Sequence, residues 1–201
     1  RGKSGEIASL DFREKAPKAA FKDMYLDKEG NPITDLSLYG QLAAGVPGTV
    51  AGMEEAYKKY ATLPWDVLVQ PAIELASKGF AITAKQAGEF NEYQADFRKF
   101  NPNGAAIIRN EKWNEGDIFK QEDLANTLRR IAAKGRDGFY KGATADLIVA
   151  EMKKGNGIIT HKDLEDYKAI WRNPIVGYYK GYKVISMPPP SSGGIALMAL
   201  L

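Results

Sequence analysis

The sequence contains no cysteine and only one histidine, His161, among its 201 residues. The absence of cysteine excludes disulfide bonds, thiolate catalysis and cysteine-ligated zinc within this chain. One histidine cannot supply a metal site that needs two, and serine–histidine catalysis would depend on His161 alone. The composition therefore excludes cysteine-ligated and two-histidine metal sites, and we assign no metal site to this chain.

Long hydrophobic runs and a strong charge of either sign are also missing. No apolar run approaches the roughly 20 residues of a transmembrane helix, and residues 1–5 (RGKSG) lack the apolar core of a signal peptide. The 28 basic and 25 acidic residues leave a net charge of only +3 and are interspersed. We therefore expect neither a membrane partner nor a nucleic-acid partner.

The length and the periodicity predict one α/β unit. Its 201 residues are typical of a single domain. Helical patterns dominate the middle of the chain and strand patterns lie near both ends. Because residues 195–201 (IALMALL) end inside an apolar stretch, we expect residues 1–201 to be a single but incomplete unit, truncated at both ends, whose sheet is completed by other sequence.

Apolar periodicity predicts helices over residues 64–78, 83–97, 121–134 and 144–154. Pro71 lies inside the first of these and could kink that helix or split it into two shorter pieces. Thr160 and Asp163 have the spacing of a helix-capping pair, which places His161 in an exposed first turn. Two strands joined by a short turn are expected between residues 169 and 187.

The segment at residues 11–17 (DFREKAP) carries a notable arginine. Apolar residues at 8, 10 and 12 alternate with polar residues at 9, 11 and 13, which is the pattern of a strand with one polar face. Arg13 is then the last polar-face side chain before a loop. A guanidinium there can bind a carboxylate through two parallel hydrogen bonds. A structural salt bridge is the alternative, and the residues alone favour it.

Two further groups have a structural and a functional interpretation. The glycines flanking Pro47 could cradle an anion ahead of a helix, although close backbone packing fits better because the lysine of a phosphate loop is absent. Ser191 or Ser192 could be a nucleophile, but neither lies in a Gly-x-Ser-x-Gly sequence. A helix N-cap is the better interpretation of these serines.

Three long motifs resemble the large-subunit motifs of bacterial γ-glutamyltranspeptidases, in the same order. They are residues 11–17 (DFREKAP), 45–52 (GVPGTVAG) and 187–194 (MPPPSSGG). Shorter similarities lie between them at residues 69–72 (VQPA), 137–142 (DGFYKG) and 159–164 (ITHKDL). The resemblance covers nearly the whole chain.

The resemblance implies a four-layer αββα fold of the N-terminal-nucleophile hydrolase class, with this chain as the middle part of the large subunit. It implies a small subunit from the same precursor as the partner, with a threonine at its start as the nucleophile. Glutathione or another γ-glutamyl compound would be the substrate, and water, an amino acid or a peptide the acceptor. Arg13 would bind the α-carboxylate of the γ-glutamyl group and Glu14 would line the same pocket. No catalytic residue in this chain and no cofactor are expected.

Two alternatives remain open within this interpretation. Cephalosporin acylases have the same fold and accept a glutaryl group, which lacks the α-amino group, and Arg13 alone does not exclude them. A secreted binding domain could also keep the fold without the chemistry. The family resemblance further implies a periplasmic or secreted location, with which a chain free of cysteine is compatible.

Overall fold

The computed structural model describes residues 5–201, so the polar residues 1–4 that precede the expected first strand lie outside the described part. Helices account for most of the regular structure. They are α1 Thr34–Leu38, a 3₁₀ turn at Gln41–Ala43, α2 Thr49–Tyr60, α3 Trp65–Lys78, α4 Ala84–Glu92, α5 Gln94–Phe100, α6 Glu122–Lys134, α7 Asp137–Tyr140, α8 Gly142–Lys154, α9 His161–Asp166 and α10 Gly193–Leu200. The strands are β1 Ser9–Asp11, β2 Phe80–Ala81, β3 Ile118–Phe119, β4 Ile170–Arg172, β5 Ile175–Tyr179 and β6 Tyr182–Ser186.

The strands of residues 5–201 form three antiparallel pairs, β1 with β4, β2 with β3 and β5 with β6. The first pair places Ser9 opposite Arg172, which joins two segments that are far apart in the sequence. β5 and β6 form the expected hairpin. Its turn residues, Lys180 and Gly181, have φ values of 46° and 83°, as a tight hairpin turn with the twist of the strands requires.

The main apolar core lies between α2, α7, α8 and α9. Its buried residues are Val46, Ala51, Tyr140, Ala145, Val149, Met152, Ile159, Leu164 and Tyr167. A second cluster, built from Ile82, Ala87, Trp113 and Phe119, lies under α4 and the β2–β3 pair. The tyrosines of the main core contact the segments at residues 13–15 and 47–48.

Most of the helix predictions are confirmed. α3 is not split at Pro71, which lies on the exposed side of the helix. The one exception is the helix predicted over residues 83–97, which is broken at Tyr93 into α4 and α5. Thr160 caps α9 as expected, because its hydroxyl accepts the Asp163 N–H and the Asp163 carboxylate accepts the Thr160 N–H.

The fold class is confirmed as α/β, rich in helices and with strands near both ends. Across residues 5–201, none of the helices combines the length and the apolar character needed to cross a membrane.

Candidate functional site

Three segments far apart in the sequence meet at one open cleft of about 700 Å³. Its lining comes from residues 10–14, from the turn before α2, and from the segment between β6 and α10. The lining residues are Leu10, Asp11, Phe12, Arg13, Glu14, Gly45, Pro47, Gly48, Thr49, Met187, Pro190 and Ser191. The cleft therefore joins the three motifs at residues 11–17, 45–52 and 187–194.

Direct contacts hold these segments together. Lys15 and Val46 exchange two main-chain hydrogen bonds of 3.2 and 2.7 Å. The Ser9 hydroxyl donates to the Met187 sulfur at 2.8 Å. A Cβ on Gly45 would lie 2.9 Å from Cγ of Glu14, which is closer than real Cβ contacts allow. The close-packing interpretation of this glycine-rich turn is therefore confirmed.

The polar face of β1 is turned inward, because Asp11 is only 5% exposed. Both Nε and Nη2 of Arg172 lie 2.8 Å from Oδ2 of Asp11. Burial raises the pKa of Asp11, but the hydrogen bonds from Arg172 and from the Arg13 N–H outweigh it and hold that pKa below its ordinary value. The buried salt bridge of this strand is thus made by Arg172, and the Arg13 guanidinium takes no part in it, although the Arg13 N–H donates to Oδ1 of Asp11.

Arg13 and Glu14, the two residues expected to bind substrate, lie side by side at the cleft. Each side chain is 59% exposed, and the Arg13 Nε lies 3.2 Å from Oε1 of Glu14. Within residues 5–201 this is the one ion pair of Arg13. Such an exposed pair contributes little to stability. The outer nitrogens of the guanidinium therefore remain available to a carboxylate in the cleft.

The serines and the histidine do not form a nucleophile–base pair. Ser191 lines the cleft, and its N–H donates to the Pro188 carbonyl at 3.2 Å. Ser192 occupies the N-cap position of α10, but its side chain makes no capping hydrogen bond, so only the position of that cap was predicted correctly. His161 is exposed in the first turn of α9 and its Nε2 lies 2.8 Å from Oδ1 of Asp146. Within the described part of the chain, no three His, Cys, Asp or Glu side chains are grouped to hold a metal ion.

The sequence did not reveal the tyrosines that support the cleft. Tyr167 donates its hydroxyl to the Arg13 carbonyl at 2.7 Å across 154 positions of sequence. Tyr140 donates to the Pro47 carbonyl, also at 2.7 Å. Neither belongs to a local pattern that indicates such a contact. Asp11 lies on the polar face of the predicted strand, and that alternation does not indicate that its side chain is buried.

Known proteins match both the sequence and the fold of this chain. The glutathione hydrolase proenzyme of Pseudomonas sp. (strain A14) is 49% identical over 98% of this chain and 35% of its own length. The crystal structure of Helicobacter pylori gamma-glutamyltranspeptidase superposes with a TM-score of 0.90 at 50% identity, over 96% of this chain and 56% of that one. A cephalosporin acylase from Bacillus halodurans superposes with a TM-score of 0.75 at 28% identity, over 98% of this chain and 38% of that one.

These similarities define the fold as that of the N-terminal-nucleophile hydrolases, the class of transpeptidases and related acylases. The family model described as Gamma-glutamyltranspeptidase matches residues 1–201. The chain belongs to the gamma-glutamyltranspeptidase family. It spans about a third of the length of the curated relatives that it matches.

Proposed function

We propose that this chain is the middle part of the large subunit of a γ-glutamyltransferase that also hydrolyses glutathione. In this proposal it binds the α-carboxylate of the γ-glutamyl group through Arg13, with Glu14 beside it. The nucleophile belongs to a small subunit cut from the same precursor, in keeping with the word proenzyme in the names of the relatives. Neither a metal ion nor a cofactor takes part.

One observation carries the proposal: the Arg13 guanidinium faces a cleft shared by all three family motifs while the buried carboxylate nearby is already paired. Asp11 is neutralised by Arg172, so Arg13 has no structural charge to balance. Glu14 occupies only the Nε edge of the guanidinium. The planar fork can therefore bind a substrate carboxylate with two parallel hydrogen bonds.

The chemistry that follows is acyl transfer. The threonine hydroxyl of the small subunit attacks the γ-carbonyl carbon, its proton passes to the leaving amine, and an ester forms on the enzyme. Water or the amine of an acceptor amino acid or peptide then attacks this ester and releases the threonine. Binding of the distant carboxylate at Arg13 orients the carbonyl for the first attack.

A glutaryl acylase is the second candidate, and the structural similarity to the cephalosporin acylase supports it. A glutaryl group keeps the terminal carboxylate, so Arg13 suits it equally well, and only the ligands of the α-amino group separate the two substrates. A binding domain without catalysis is the third possibility. Comparing γ-glutamyl and glutaryl p-nitroanilides on the parent protein separates the three.

We expect the parent protein to release p-nitroaniline from the γ-glutamyl anilide and the isolated 201-residue chain to release none. The described part of the chain offers no nucleophile paired with a base, and an N-terminal-nucleophile enzyme needs a free N-terminal threonine or serine. The measurement is absorbance with matched concentrations of the two proteins. Turnover by highly purified isolated chain would contradict this division of roles. An inactive parent protein would support the third possibility, a binding domain without catalysis.

We also propose that the parent acts in the periplasm or outside the cell. The support is the family resemblance, and a chain without cysteine is compatible with that location. Fractionation of native cells should recover the protein in the periplasmic or extracellular fraction, with a cytosolic enzyme as the marker for leakage. Recovery with the cytosolic marker alone would refute this location.

A further inference from the structure

The main chain of Arg13 is held on both sides by buried side chains. Its N–H donates to Oδ1 of Asp11 at 3.1 Å, and its carbonyl accepts the Tyr167 hydroxyl at 2.7 Å. Asp11 is 5% exposed and Tyr167 is 3% exposed. The backbone of Arg13 is thus fixed by rigid, buried groups while its guanidinium projects into solvent.

Tyr167 is itself firmly placed at the end of α9. Nη2 of Arg136, which carries two N–H donors, lies 2.6–3.3 Å from three main-chain carbonyl oxygens at that helix end, those of residues 164, 165 and 167. These bonds satisfy acceptors that a helix C-terminus leaves open. The Tyr167 ring lies parallel to that of Tyr140, with centroids 5.9 Å apart. The tyrosine that reaches Arg13 therefore belongs to the apolar core.

The opposite side of the cleft is shaped around the same hydroxyl. A Cβ on Gly48 would lie 2.0 Å from Oη of Tyr167 and 2.1 Å from the Phe12 carbonyl. Only a glycine at position 48 leaves room for the Tyr167 hydroxyl between the turn before α2 and the loop after β1. Tyr140, stacked on Tyr167, donates to the carbonyl of Pro47, so the two stacked tyrosines hold the two sides of the cleft.

Both hydroxyls remain donors over the working pH range. Burial raises the pKa of Tyr140 to about 12. Burial, together with the negative charges of Asp11 and Glu14, also raises the pKa of Tyr167 above its ordinary value. The bond to Arg13 is therefore retained at neutral and mildly alkaline pH.

We propose that Tyr167 is a positioning residue for substrate carboxylate recognition, acting through the main chain of Arg13. The inference rests on the proposed function of Arg13. A binding group must be held within a fraction of an ångström of its productive position by residues that are themselves locked by packing. Tyr167 meets that requirement, because it is buried, stacked and bonded at its helix end. The hydroxyl need not touch the substrate.

The test is Tyr167→Phe in the parent protein, assayed with γ-glutamyl-p-nitroanilide. Loss of one neutral hydrogen bond predicts a fall in kcat/KM of about three- to tenfold, expressed mainly as a higher KM. Turnover of 4-aminobutanoyl-p-nitroanilide, which lacks the α-carboxylate, should be unchanged. Tyr25→Phe is the matched control, because Tyr25 also donates its hydroxyl to a main-chain carbonyl, that of Leu42 at 3.1 Å, away from the cleft. It should leave both substrates unaffected.

A double variant separates failure of this inference from failure of the proposed function. If Tyr167 acts through Arg13, adding Tyr167→Phe to Arg13→Lys should lower kcat/KM by less than about twofold further. An inactive parent, or an Arg13→Lys variant with full activity, would refute the proposed function. An impaired Arg13→Lys variant beside a fully active Tyr167→Phe variant would overturn only the role of Tyr167. Equal losses on both substrates, or failure of Tyr167→Phe to fold, would assign the hydroxyl a structural role. Either result would also overturn the role of Tyr167 in positioning Arg13.

Discussion

Replacing Arg13 by lysine in the parent protein should lower kcat/KM for γ-glutamyl anilides by at least about tenfold, or roughly 1.4 kcal/mol of transition-state stabilisation. Lysine keeps the positive charge but loses the planar fork that binds a carboxylate through two hydrogen bonds. The Arg13 side chain is 59% exposed and bonded only to its neighbour Glu14 among residues 5–201. The melting temperature should therefore change little, and steady-state kinetics beside a thermal melt measure both quantities.

Two controls give this prediction its specificity. Arg129 is also exposed, and its Nη1 lies 2.9 Å from Oε1 of Glu122, so Arg129→Lys makes the same chemical change on α6 and should leave kcat/KM unaltered. The second control is the substrate 4-aminobutanoyl-p-nitroanilide, whose slow turnover should not respond to Arg13→Lys. A loss shared by both substrates and accompanied by a lower melting temperature would instead support a structural salt bridge at Arg13.

Local features of the fold were predictable because their causes are local. The capping pair of Thr160 and Asp163 is fixed by a spacing of three residues. The apolar repeat and the closing Gly135 defined α6 closely. The break at Tyr93 was not predictable, because the apolar repeat continues through it. At the break, the Gln94 side-chain amide donates to the Phe90 carbonyl at 3.1 Å and to the Ile107 carbonyl at 2.8 Å, so the contacts there reach a segment outside the helix.

The candidate site was predictable only in part, for a related reason. Arg13 and Glu14 stand in a motif that resembles a known family, and the cleft does bring that motif beside the other two. The burial of Asp11 and its pairing with Arg172 depend on the register between β1 and β4. The contact from Tyr167 depends on where α9 ends relative to the loop after β1. Such long-range geometry leaves no periodic signal in a single sequence.

Gly48→Ala in the parent protein should produce the largest loss of all, a destabilisation of about 3 kcal/mol and a fall in kcat/KM of up to about a hundredfold. The backbone of Gly48 has φ −116° and ψ −13°, which alanine can adopt, so the effect is purely steric. The added Cβ would lie 2.0 Å from Oη of Tyr167 and 2.1 Å from the Phe12 carbonyl. Neither of these two atoms is the free end of a flexible side chain, because Tyr167 is buried and the Phe12 carbonyl belongs to the main chain. The steric clash is therefore relieved only if the loop that carries Arg13 moves.

Gly88→Ala is the matched control, because it adds the same methyl group where the structure has room. Gly88 lies inside α4, is exposed, and a Cβ there would meet nothing within 4 Å. Alanine is the better helix former by about 0.5–1 kcal/mol, so this variant should melt slightly higher with unchanged kinetics. If Gly48→Ala melted like the parent and kept its activity, Tyr167 and the loop after β1 could separate without cost, and the close packing of the cleft would not be what holds Arg13 in place.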